Sequence, residues 1–149
     1  MIFTIIILFM QIMSLFLTGF LWTALLTGLE IGSTIVFVVV MSVMFSGLAG
    51  FLLALINRKL FSIKMWKCIL NIVLCSFLIL FSFFLAVGES SIFDSVSIFF
   101  QHLWILVFHA KHDPLGILVL GFINLPIMFF VVPISFYIGD CLLKKMRKV

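Results

Sequence analysis

The sequence predicts an all-α integral membrane protein: four transmembrane helices in a bundle, with one interfacial amphipathic helix beside them. Three observations carry that expectation. Of 149 residues, 66% are hydrophobic and only 9% are charged, where globular domains carry about a quarter. Twenty Phe, 25 Leu and 20 Ile leave too little polar surface to clothe a water-soluble domain. Runs such as residues 35–40 are continuously apolar, whereas barrel strands alternate polarity over about 10 residues. The same composition excludes a disordered chain, a disulfide scaffold and a coiled coil. It also excludes a free nucleic-acid-binding domain, despite the net charge of +4.

A helix crosses about 30 Å of hydrocarbon with roughly 20 apolar residues, because lipid offers no partner to unpaired backbone groups. The first such stretch runs from residue 1 to about 28 and the second over about 33–56, both without a charge. The third covers about 68–88. The fourth covers about 115–139, stopping before Asp140 and the basic end of the chain. The first stretch is expected to be a retained span rather than a signal peptide. Its start has no Lys or Arg, its apolar run exceeds an h-region, and no A-x-A-like site follows.

Orientation follows from the cations, which are retained on the cytoplasmic side. Arg58, Lys59, Lys64 and Lys67 lie between the second and third stretches, and Lys144, Lys145, Arg147 and Lys148 follow the fourth. A cytoplasmic basic loop over 57–67, a cytoplasmic tail over 140–149 and both termini inside a bacterial inner membrane are therefore expected. Glu30 and the connection over 89–114 fall outside. A fifth crossing through 92–110 would part the two basic clusters. Asp94, Ser97, Gln101, His102, His109 and His112 share one arc of that stretch on a helical wheel, opposite Phe93, Val96, Phe99, Phe100, Leu103, Trp104 and Val107. The pattern suits a helix lying in the outer interface, with a re-entrant course left open.

Helices associate in lipid through close approach and interhelical hydrogen bonds, so small and polar residues mark contact faces. Ser42, Ser46, Gly50 and Ala54 recur every four residues on the second helix, with Gly47 beside them. Thr4, Gln11, Ser14 and Thr18 align on the first helix, and Asn71, Cys75, Ser82 and Ala86 on the third. In the fourth, Pro126 and Pro133 each remove a backbone donor and are expected to bend the helix. Asn124 precedes the first proline, and its amide is expected to meet a freed carbonyl. The functional alternative is a hinge or a polar contact with a partner helix.

None of these four stretches contains Asp, Glu, Lys, Arg or His, which argues against an ion-coupled transporter, a proton relay or an intramembrane aspartyl protease. No enzyme and no cofactor are expected. The cysteines at 68, 75 and 141 form no C-x-x-C or metal spacing and read as small packing residues. His109, His112 and Asp113 at helical spacing could hold a metal, but Pro114 ends that helix and no second ligand set exists. A wetted loop, or a pH-responsive surface, fits them better. The basic clusters suit anionic lipid heads rather than nucleic acid.

A small, strongly hydrophobic, multi-pass chain rich in Phe and Ile, without a catalytic constellation, resembles the inner-membrane entry-exclusion proteins of F-type conjugative plasmids. The likeness covers the whole chain as length, hydropathy and layout, with no shared motif. It implies a non-enzymatic role in a recipient's inner membrane: blocking DNA from a donor bearing the same plasmid by recognising a component of the donor's transfer apparatus. Partners would be membrane lipids, another membrane or secretion-apparatus protein and, as a further candidate, a second copy of the chain. Two other readings stay open. One is immunity against a pore-forming colicin. The other is a small channel, holin-like or transporter subunit with a path lined by Gln11, Asn71 and Asn124. Since 89–114 is the only sizeable outer surface, Asp94, Gln101, His102, His109, His112 and Asp113 are candidate partner contacts, together with the small-residue face of the second helix.

Overall fold

The computed structural model describes residues 1–25, 31–87 and 120–146. Every regular element among them is helical. α1 spans Ile2–Leu25 and α2 spans Ile31–Ile56, continued by a π turn over Asn57–Phe61. α3 spans Met65–Val87, and a second π turn over Leu120–Asn124 leads directly into α4, Leu125–Met146. Four helices are thus long and apolar enough to cross a membrane. The expected interfacial helix over 92–110 lies outside the described residues.

Helix ends do not coincide with the ends of the apolar runs, because backbone hydrogen bonding continues where hydropathy changes. α4 was expected to stop near residue 139, but it continues to Met146. There Lys144 Nζ sits 2.5 Å from Asp140 Oδ2, one helical turn away. The expected loop over 57–67 shrinks to residues 62–64, with Arg58 and Lys59 in the π turn and Lys67 in the first turn of α3. Ser62 makes the reversal in a left-handed conformation (φ 51°, ψ 30°), and its N–H donates to the Asn57 carbonyl at 2.6 Å. The Asn57 side chain then clamps the far side of the turn. Its Nδ2 donates to the Ile63 carbonyl at 3.0 Å, and its Oδ1 accepts from the Ile63 N–H at 3.1 Å.

The helices alternate in direction. Phe3 near the start of α1 packs against Phe61, with ring centroids 5.2 Å apart. Arg58 Nη1 donates to the Asp140 carbonyl near the end of α4 at 3.5 Å. The start of α1, the α2–α3 reversal and the end of α4 therefore share one end of the bundle. α1 lies against α2 and α3, and α4 lies against the same two. α1 and α3 run parallel to each other, as do α2 and α4. Ile7, Leu15, Trp22, Leu53, Ile72, Phe83, Met128, Val132 and Phe136 fill the core. Outward stand residues such as Phe9, Val40, Met44, Leu74, Phe81 and Phe130, an exterior that hydrocarbon would solvate and water would not.

α2 and α4 meet most closely at Gly50. A Cβ there would lie 1.9 Å from Ser135 Oγ and 2.4 Å from the Val132 carbonyl oxygen. The side of the contact nearer the reversal is milder: a Cβ on Gly139 would lie 2.9 Å from a Phe51 ring carbon and 3.2 Å from Ala54 Cβ. Ser42, Ser46, Gly50 and Ala54 are all buried, so the four-residue stripe is the α2 half of this contact. Gly47, expected beside it, has nothing within 4 Å of a built Cβ and takes no part. Gly121, in the second π turn, lies under the Phe83 ring, where a Cβ would come within 1.9 Å of a ring carbon.

Gly50→Ala is expected to destabilise the bundle by about 1–3 kcal/mol, since backbone must move to admit the methyl. Gly139→Ala should cost less, and Gly47→Ala should be neutral or stabilising by up to about 1 kcal/mol through helix propensity. Thermal melts of the three variants in one detergent give the order. A Gly50→Ala variant as stable as Gly47→Ala would contradict the close approach.

Candidate functional site

Two polar features stand out in this bundle: a seam of amides and hydroxyls inside it, and a charged end. The seam begins between α1 and α3. Gln11 is fully buried, and its Nε2 donates to Ser76 Oγ at 2.7 Å and to the Ile72 carbonyl at 3.4 Å. One level nearer the start of α1, Asn71 Nδ2 donates to Thr4 Oγ1 at 2.9 Å. Thr18, also buried, returns its hydroxyl to the Ser14 carbonyl at 2.7 Å, which satisfies it locally within the helix.

Sequence reasoning missed Ser76. The expected α3 stripe of Asn71, Cys75, Ser82 and Ala86 is only partly the contact face. Cys75 is buried, Asn71 and Ser82 are half-buried, and the Ala86 side chain lies outside the described set. The buried line instead runs through Cys68, Ile72, Ser76, Ile79 and Phe83. In a helix apolar all round, hydrophobic pattern does not distinguish core from lipid face. The usable signal was that Gln11 required a hydroxyl or amide opposite it.

The seam continues between α2 and α4, where Ser42 Oγ donates to Asn124 Oδ1. Asn124 therefore does not return its amide to a carbonyl freed by proline, as expected, but reaches across to α2. Ser42 presents a buried hydroxyl at that level and donates it to the amide oxygen, a bond between helices. Pro126 is the second residue of α4, which starts where the second π turn ends, and Pro133 lies inside an unbroken α4. The helix departs from α geometry at the first proline only. Ser135 Oγ donates to the carbonyls of Val131 (2.7 Å) and Val132 (3.0 Å), on the face that receives Gly50.

The charged end collects Arg58, Lys59, Lys64, Lys67, Lys144 and Lys145 around the reversal and the end of α4. Arg147 and Lys148 lie outside the described residues. Asp140 is the only carboxylate side chain among the described residues. It is only 7% exposed, although the sequence predicts a cytoplasmic tail from residue 140 onward. Lys144 pairs with it within α4, and the Arg58 bond to its backbone carbonyl ties α4 to the end of α2. Trp66 stands exposed between Lys64 and Lys67, an arrangement common at membrane–water boundaries. Cys68 and Cys75 are buried and Cys141 is exposed, so the packing role expected of all three holds for two.

Among the described residues, no group of three or more His, Cys, Asp or Glu could hold a metal. The candidate contacts Asp94, Gln101, His102, His109, His112 and Asp113 all lie outside the described residues. The described interior therefore offers amide and hydroxyl chemistry, with ionisable Lys, Arg and Asp side chains confined to one end. Compared with protein families, curated proteins and solved structures, the chain has no match.

Asn57→Ala is expected to loosen the α2–α3 reversal by about 1–2 kcal/mol, because two hydrogen bonds that close the turn disappear together. Limited proteolysis at 62–64 in detergent measures the effect. Cleavage unchanged from the parent chain would show that the side chain does not hold the turn.

Proposed function

We propose that the chain is a multi-pass protein of the bacterial inner membrane, with both termini cytoplasmic, that acts by recognising another protein rather than by catalysis. The observation that supports this reading is the distribution of charge. Six cations gather at one end of four apolar helices, while the interior carries amides and hydroxyls. The rule that cations stay in the cytoplasm assigns that end to the inside. Gln11, Asn71 and Asn124 each bond a neighbouring helix. That use favours a scaffold over a conducting path lined by the same three residues.

The specific activity we propose is entry exclusion: a recipient expressing the chain refuses DNA from a donor carrying the same conjugative plasmid. This step follows the likeness in length, hydropathy and layout to exclusion proteins of F-type plasmids. Recognition would fall to the outer connection over 89–114.

Reporter enzymes fused after residues 60 and 149 are expected to be active on the cytoplasmic side of the same membrane. In a mating assay, recipients expressing the chain alone should receive the plasmid several-fold less often than recipients with an empty vector. Scrambling Asp94, Gln101, His102, His109, His112 and Asp113 should abolish that effect while membrane insertion is kept. Normal transfer into recipients that insert the parent chain would reject exclusion. Survival of a pore-forming colicin by the same cells would point to immunity instead.

A further inference from the structure

The seam between α2 and α4 is unfinished as a set of hydrogen bonds. Ser46 is fully buried, and its Oγ has no partner among the described residues. Asn124 is 3% exposed, and its Nδ2 has none. The two lie about one helical turn apart along the same seam. Ser46 follows Ser42 by one turn on the same face of α2, and Ser42 holds the other end of the Asn124 amide. Ser46 also lies midway along the apolar stretch Thr34–Phe61, where lipid supplies no donor or acceptor.

The backbone beside them also lacks one donor. Pro126 has no N–H to offer the carbonyls one turn before it, and those belong to the π turn Leu120–Asn124. This turn lies against both α1 and α2. An amide N–H and a hydroxyl able to donate and accept thus lie about one helical turn apart along the seam, next to a turn whose carbonyls Pro126 cannot serve. Side chains of the right size for direct bonds are already used: Ser42 is taken by Asn124, and Ser135 by its own helix. A buried water needs two to four polar partners in a polar site, and it serves nearly as well as a direct hydrogen bond.

We infer that the α2–α4 seam binds ordered water inside the bundle, held by Ser46 Oγ and Asn124 Nδ2 and completed by a carbonyl of the π turn. The water bonds α2 to α4 without bringing two further side chains together. It also lets the irregular turn before Pro126 keep its carbonyls satisfied. The inference rests on α2 and α4 being membrane spans and is independent of exclusion activity.

The test is water-edited solid-state NMR on the full-length, 15N-labelled chain in liposomes, reading magnetisation transfer from water to the Asn124 side-chain nitrogen. Transfer several-fold faster than to the backbone amides of Val40 and Met44, on the outer face of α2, is expected. Ser46→Ala should slow transfer at Asn124 and lower the melting temperature, because the water loses a ligand. A dry seam behaves differently: removing an unpaired hydroxyl from it leaves stability unchanged or raises it. Transfer at Asn124 as slow as at Val40 and Met44 overturns the inference. So does a Ser46→Ala melting temperature equal to or above that of the parent chain.

Discussion

At Gly50 the backbones of α2 and α4 come near enough that a single methyl group would overlap Ser135 Oγ and the Val132 carbonyl. In water, such helices would be driven together by burial of apolar surface. In lipid, the tails around the bundle are as apolar as any neighbouring helix, so dispersion from close fit and interhelical hydrogen bonds must decide. The small-residue stripe supplies the first of these. It brings α4 within reach of Ser42 at one level, of Ala54 near Gly139, and of Arg58 at the charged end.

The other parallel pair follows a different logic. α1 and α3 meet through side chains long enough to span a wider gap, with Gln11 reaching Ser76 and Asn71 reaching Thr4. Each bond is modest, about 1 kcal/mol where such pairs have been measured in membranes. Each also removes a polar group from contact with lipid, where it would be costly. The two pairs are locked together by aromatic contacts around the second π turn. Gly121 admits the Phe83 ring, and Phe122 meets Phe83 and Phe84 edge-on with centroids 5.9 and 6.2 Å apart. Close fit and hydrogen bonding thus act in different places to hold one bundle.

Fold class, the number of helices long enough to span a membrane and the α2 contact face were legible in the sequence, because apolar length and a four-residue repeat of small side chains are one-dimensional signals. So was the burial of Gln11, since a lone amide in an apolar helix seeks a partner. Ser76 was not legible, because its neighbours Ile72 and Ile79 look alike whether they face lipid or core. The buried position of Asp140 was hidden for a related reason: charge suggests a tail outside the bundle, whereas a helix continuing past the apolar run buries this residue, with its carboxylate on Lys144 and its backbone carbonyl on Arg58. Asn57 falls in the stretch that charge alone marks as a loop, although an amide two residues before a Lys–Leu–Phe–Ser run is well suited to closing a tight turn. Asn124 lies in the span, and of its two expected uses, a freed carbonyl or a polar contact with another helix, its oxygen makes a contact of the second kind, to Ser42 of α2. The amide oxygen needs a donor and the amide nitrogen an acceptor, and only three-dimensional proximity shows that Ser42 serves the oxygen.

The contact between α2 and α4 is tested most directly by disulfide trapping in native membranes. The chain would carry Ser42→Cys with Asn124→Cys, and Cys68, Cys75 and Cys141 would be replaced by Ala. Mild oxidation should link the two positions within one chain, while a pairing of Ser42→Cys with Tyr137→Cys, on the outer face of α4, stays open. Failure of the first pair to link, or equal linking of both, would contradict a seam in which α2 and α4 lie parallel with Ser42 beside Asn124.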